Sequence, residues 1–127
     1  MDVYESGIKE LKLDKYYNNV FISDILDFDF DYYDLIILGD VLEHLTLEDA
    51  QELLKGWIHR HKTSHLIVSV PFQLKQHGTY ENPHEEHLQP EITPDYMKHH
   101  YPYLKLLYSA EMADVPGKIA IYTWQRI

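Results

Sequence analysis

Asp40, Glu43 and His44 stand in an Asp-x-x-Glu-His arrangement, and a second cluster, His84-Glu85-Glu86-His87, follows downstream. Imidazole and carboxylate suit Mg, Mn, Zn or Fe as ligands. The same groups move protons near neutral pH. Each also has a plainer role. Asp40 and Glu43 suit the first turn of a helix, where acids complement the helix dipole. His44 suits a partly buried position ahead of an apolar helix, and His84–His87 suit a solvated loop. That plainer role is the expectation for the downstream cluster, so no metal is assigned. His44 and Asp40 are the candidate catalytic pair, and His84 and His87 are alternative bases for an acceptor that must lose a proton. A metal-dependent hydrolase gains no support, because no His-Glu-x-x-His helix is present.

These residues need elements to position them. Asp34–Leu38 is a nearly unbroken apolar run with the length of a strand buried on both faces, and Gly39-Asp40 ends it. Thr46 has the character of a helix N-cap, with Asp49 three residues on. Leu47, Ala50, Leu54, Trp57, Ile58 and His61 recur at helical spacing, which predicts a helix over 46–62. Leu66–Val70 is a second buried strand, stopped by Pro71. Phe72–Gln89 is a long polar segment of the kind that is usually functional. Thr93-Pro94 starts a helix over 94–99. Tyr103–Ser109 and Lys118–Trp124 are two strands joined through a Val115-Pro116-Gly117 turn, and they should pair antiparallel. Upstream, Glu5–Leu13 reads as a short helix and Val20–Ser23 as a strand that stops at Asp24.

The bulk numbers narrow the partners. The chain has 127 residues, 45% of them hydrophobic, and reads as one domain over 1–127. Its formal net charge of −10, from 11 basic and 21 acidic residues, opposes phosphate backbones and anionic membranes. No stretch approaches the roughly 20 apolar residues of a membrane span. No basic–apolar secretory signal opens the chain. There are no cysteines, which fits a cytoplasmic location.

Tyr33–Leu45, with its strand, Gly39-Asp40 end and following helix, resembles the fourth motif of class I S-adenosylmethionine-dependent methyltransferases. The resemblance implies an α/β fold: a three-layer Rossmann-like methyltransferase sheet, N-terminally truncated, with a C-terminal antiparallel hairpin. In that family the strand order is 3-2-1-4-5-7-6. The family's first strand ends in a Gly-rich turn. Here Gly7, Gly39, Gly56, Gly78 and Gly117 are isolated, so the chain is read as starting near the end of the family's second strand.

Carried over residue by residue, the resemblance makes Asp2, or as second choice Glu5, the acceptor of ribose hydroxyls. Asp24 accepts from the adenine amino group, and the Ile25 N–H meets the ring. Gly39 and Asp40 lie beside the sulfonium of S-adenosylmethionine. Pro71 and Phe72 match a loop that often lines the acceptor pocket, to which Tyr80, Tyr96, Tyr101 and Tyr103 are aromatic candidates. Asp24 also suits a simple turn cap.

The implied function is methyl transfer from S-adenosylmethionine to a small-molecule acceptor, in which alignment of the reacting atoms does much of the work. A non-catalytic scaffold that has lost the cofactor is the alternative. A metal-assisted RNA 2′-O-methyltransferase is a lesser one, resembled by the Asp-x-x-Glu-His pattern but with Asp in place of Glu at its first position. Without strands one and two, the central strand should become an edge although it is too apolar for one. Three arrangements are open: the Val20–Ser23 strand beside it, a missing part of a longer product, or a homodimer through the exposed sheet edge.

Overall fold

The computed structural model describes residues 1–74, 76–78, 82–113 and 117–127. Four strands form one mixed sheet in the order β1-β2-β4-β3, namely β1 (Tyr33–Gly39), β2 (Thr63–Phe72), β3 (Lys105–Glu111) and β4 (Lys118–Gln125). β1 and β2 run parallel, with Ile36 beside Leu66 and Gly39 beside Ser69. β4 is antiparallel to both β2 and β3. This is the strand order 4-5-7-6 implied by the resemblance, and the C-terminal antiparallel pair is present. The proposed turn at Val115-Pro116 lies outside the described residues.

Alternation decides which face is buried. Ile36 and Leu38 of β1, Leu66, Val68 and Val70 of β2, and Ala120 and Tyr122 of β4 share one face and form the core. Against them pack Ala50, Leu54 and Trp57 of α2 (Leu47–His59) and Met97 of α3 (Pro94–His100). Thr46 caps α2 through the Asp49 N–H (3.2 Å), and Thr93 caps α3 through the Tyr96 N–H (3.1 Å). The other face carries Leu35, Ile37, Ile67, Ile121 and Tyr108, and it joins no buried cluster among the described residues.

The N-terminal part departs from expectation. Helix α1 (Glu5–Glu10) is shorter than Glu5–Leu13, because Lys12 takes a left-handed conformation (φ 51°). Val20–Ser23 does not form a paired strand; Ile22 makes a single parallel bridge to Asp2. It does not lie beside β1, whose pairing in the described sheet is to β2. A chain of rings ties this region to the body. Phe21 meets Phe28 at 5.0 Å, Phe28 meets Phe30 at 4.8 Å, and Phe30 meets Trp57 at 4.8 Å.

Leu54→Ala should therefore lower the unfolding free energy by about 2–5 kcal/mol, the cost of a cavity in a filled core. Leu107→Ala, on a side chain 65% exposed, should stay within about 0.5 kcal/mol. Urea denaturation of the two variants checks the contrast.

Candidate functional site

The carboxyl end of β1 makes a sharp change of direction. Asp40 takes it with a left-handed backbone (φ 52°), a conformation that Asp tolerates better than most residues. Two neighbours on β2 hold it. The Asp40 N–H donates to Ser69 O (3.2 Å) and Ser69 Oγ (3.1 Å), while the Ser69 hydroxyl donates to Asp40 Oδ1 (2.8 Å). Nothing lies within 4 Å of where a Cβ on Gly39 would stand, so the space over the strand end is open. The 3-10 turn Leu42–His44 follows. Leu42 is driven into the core, and that rotates Glu43 inward until it is 1% exposed.

A second segment clamps this turn. The N–H groups of Leu88 and Gln89 both donate to Glu43 O (2.7 and 3.2 Å). Buried Gln89 then uses its full hydrogen-bonding capacity. Its Nε2 donates to Leu42 O (2.8 Å) and Leu45 O (3.0 Å), and its Oε1 accepts from the Tyr96 and Tyr101 hydroxyls (2.9 Å each). One side chain thus joins the turn after β1, the segment before α3, and α3 itself. Tyr96 and Tyr101, expected in an aromatic pocket, serve this clamp instead, and Tyr101 is wholly buried. Burial pushes the Tyr96 phenol up to about 12 and the Tyr101 phenol higher still, so both stay donors at neutral pH.

The clamp brings His87 to Glu43 and His44. The ligand-capable atoms of the three lie within 4.8 Å of one another. The His44 and His87 rings meet edge to face at 4.8 Å. The expected solvated loop does not hold for His87, which is 9% exposed because its backbone is pinned to Gln76 O (2.8 Å) and Glu43 O accepts from the next two N–H groups. His84 of the same cluster remains exposed.

Carbonyls accept only, so they fix the tautomers. His44 Nδ1–H donates to Glu86 O (3.1 Å) and His87 Nδ1–H to Leu74 O (2.8 Å). Both Nε2 lone pairs are left for the cluster. Tethering the second ring nitrogen to a backbone carbonyl is how metal-ligating histidines are oriented. Glu43 Oε2 is buried with no hydrogen-bond partner. Burial, reinforced by Asp40 nearby, pushes the Glu43 carboxyl up to about 8, and burial pulls the His44 imidazole down. Their 3.8 Å approach is consequently a contact of neutral groups rather than an ion pair. A buried polar atom without a partner is costly. A divalent cation is the partner whose chemistry this donor set fits.

The other residues singled out from the sequence lie elsewhere. The Asp2–Ile22 bridge sets Asp2 near the end of the Val20–Ser23 segment, just before Asp24. Asp2 Oδ1 accepts from the Tyr4 N–H (3.0 Å) and Asp24 Oδ1 from the Leu26 N–H (2.9 Å), so both acids close local turns. Glu5 pairs with Lys9 one turn along α1 (2.8 Å). Ile25 is partly buried against the core. Phe72 lines a groove of about 420 Å³ with Gln73, Thr93, Pro94 and Leu106. Tyr80 lies outside the described residues.

Solved structures with this architecture are enzymes of one chemistry. The small RNA methyltransferase HEN1 aligns over 99% of the chain with a TM-score of 0.58 and 17% identity. The N-methyltransferase NodS from Bradyrhizobium japonicum WM9 aligns over 98% with a TM-score of 0.60 and 13% identity. The methyltransferase domain of the bacterial CtHen1-CN aligns over 94% with a TM-score of 0.56 and 23% identity. The fold is that of S-adenosylmethionine-dependent methyltransferases. The chain spans 22% of the HEN1 chain and 71% of each of the other two. No family model matches the sequence, and no curated protein does.

Glu43 sets a pH dependence whose sign is fixed. A carboxyl whose pKa is raised in the folded protein stabilises most below its unfolded value and loses that contribution as pH rises through the folded value. Metal-free protein should lose stability between about pH 5 and 8. Glu43→Gln should flatten that slope, which thermal unfolding across the window measures. Gln89→Leu orphans two hydroxyls and two carbonyls at about 1–3 kcal/mol for each buried group left unpaired. That variant should be among the most destabilised single substitutions, as chemical denaturation will report.

Proposed function

We propose that this chain acts as an S-adenosylmethionine-dependent O-methyltransferase whose acceptor hydroxyl is held at the Glu43–His44–His87 cluster. The observation that carries the reading is the buried, unpartnered Glu43 Oε2 facing two imidazoles tethered to backbone carbonyls. A divalent cation held there supplies positive charge that lowers the hydroxyl's pKa, and S-adenosylmethionine supplies an electrophilic methyl group. The chain's own residues do the rest. Glu43, His44 and His87 offer three ligand atoms and leave the outer positions to an acceptor. Asp40 is held by Ser69 at the open strand end, where Gly39 lets a ligand approach the backbone closely.

His44 serves in this reading as a ligand, not as the base, because its Nδ1 proton is committed to Glu86 O and its Nε2 faces the cluster. Asp2, Asp24 and the Ile25 N–H are the candidates for the cofactor's nucleoside end. Glu5 is disfavoured by its pairing with Lys9.

The acceptor class follows from charge and chelation. Two adjacent hydroxyls bind a cation better than one, so a vicinal diol or catechol on a small, uncharged molecule is the favoured substrate. A net charge of −10 supports that choice over a polyanion. An RNA terminal ribose carries the same diol and is the second reading, favoured by the small-RNA methyltransferase that shares the fold.

Incubation with methyl-labelled S-adenosylmethionine, Mn²⁺ or Mg²⁺, a catechol and diol panel, and a short RNA tests this directly. Label should pass to a diol, cease on chelation with EDTA, and fall by at least about tenfold in His87→Ala. Transfer indifferent to EDTA and to His87→Ala overturns the metal-assisted reading. Absence of S-adenosylmethionine binding by folded protein at millimolar concentration points instead to a scaffold that retains the fold without the chemistry.

A further inference from the structure

The two edges of the sheet are unlike. On the outer edge, β3 carries Lys105 and Glu111, and its pairing with β4 shifts register between Leu106 and Tyr108. A charged, irregular strand is a poor template for adding another. β1 has none of these devices. Leu35–Leu38 are four consecutive apolar residues in unbroken register with β2, without lysine, proline or bulge. Along the outer side of β1 the backbone is unpaired by any described strand. Leu35 and Ile37 on the open face are 42% and 64% exposed. Such an edge invites strand addition.

The surface area agrees. The chain exposes 8722 Å². A compact monomer of 15.2 kDa exposes about 7,100 Å². The excess of roughly 1,600 Å² exceeds the ~800 Å² that each partner buries in a standard interface.

We propose that a second copy of this chain covers the β1 edge, its β1 pairing antiparallel with this one about a two-fold axis at Ile36. Side chains directly opposite each other share a face in an antiparallel pair. The axis at Ile36 sets Leu35 against the partner's Ile37, and Ile37 against the partner's Leu35. The two four-stranded sheets become one sheet of eight. The assembly closes at two copies, because β3 ends the sheet on either side with its protected edge. Each copy carries a net charge of −10, so the association is apolar in origin and opposed by repulsion. Added salt screens that repulsion and tightens the dimer, the reverse of what an ion-paired interface does. This inference is independent of the methyl-transfer reading.

Sedimentation equilibrium on the full chain at tens of micromolar, in low and high salt, tests it. Wild-type protein should have twice the mass of 15.2 kDa, with several-fold tighter association at high salt. Ile37→Lys adds a charge to an already exposed position and should give a monomer with an unchanged far-ultraviolet dichroism spectrum. Leu107→Lys, on the protected edge, should remain dimeric. A wild-type monomer at these concentrations, a dimer that survives Ile37→Lys, or growth beyond two copies overturns the proposal.

Discussion

Hydrogen bonds, more than packing, determine where the reactive groups of this protein sit. Glu43 O accepts from the Leu88 and Gln89 N–H groups, and the Gln89 side chain spans Leu42, Leu45, Tyr96 and Tyr101. A fully satisfied buried amide has one geometry available to it, and every partner is held by the same atoms. Removing the amide would free the turn after β1 from the segment bearing His87. The core beneath β1 and β2 would remain, but Glu43, His44 and His87 would have no reason to stay together.

The cluster so assembled is poised between two states. Without a cation, burial keeps Glu43 protonated and His44 neutral, and the site carries little charge. With a cation the carboxylate is matched by a positive charge, and the orphaned oxygen gains a partner. Ligand binding and proton loss are then one event. The backbone carbonyls of Glu86 and Leu74 prepare for it by holding each ring with Nε2 toward the cluster.

Much of this was legible in the sequence, for physical reasons. The apolar run before Gly39, the Thr46 cap and the alternation in Lys118–Trp124 are local signals, and each element formed where its pattern placed it. The exposed β1 edge also followed, as a consequence of a strand more apolar than its neighbours can cover. Asp40, Glu43 and His44 were visible because they are close in sequence. His87 was visible as a ligand type but misread as solvated, since its burial depends on contacts with residues far along the chain. Gln89 carried no signal, being one polar residue in a polar segment. Val20–Ser23 has strand propensity, yet propensity alone forms a single bridge when no neighbouring strand is present.

Calorimetric titration of the full chain with Mn²⁺ near pH 7, in two buffers of different ionisation enthalpy, tests the central claim. Because the Glu43 carboxyl lies at about 8, one site should bind with release of close to one proton, and Glu43→Gln should abolish both the affinity and the release. No saturable heat, or binding that Glu43→Gln leaves intact, would contradict the account.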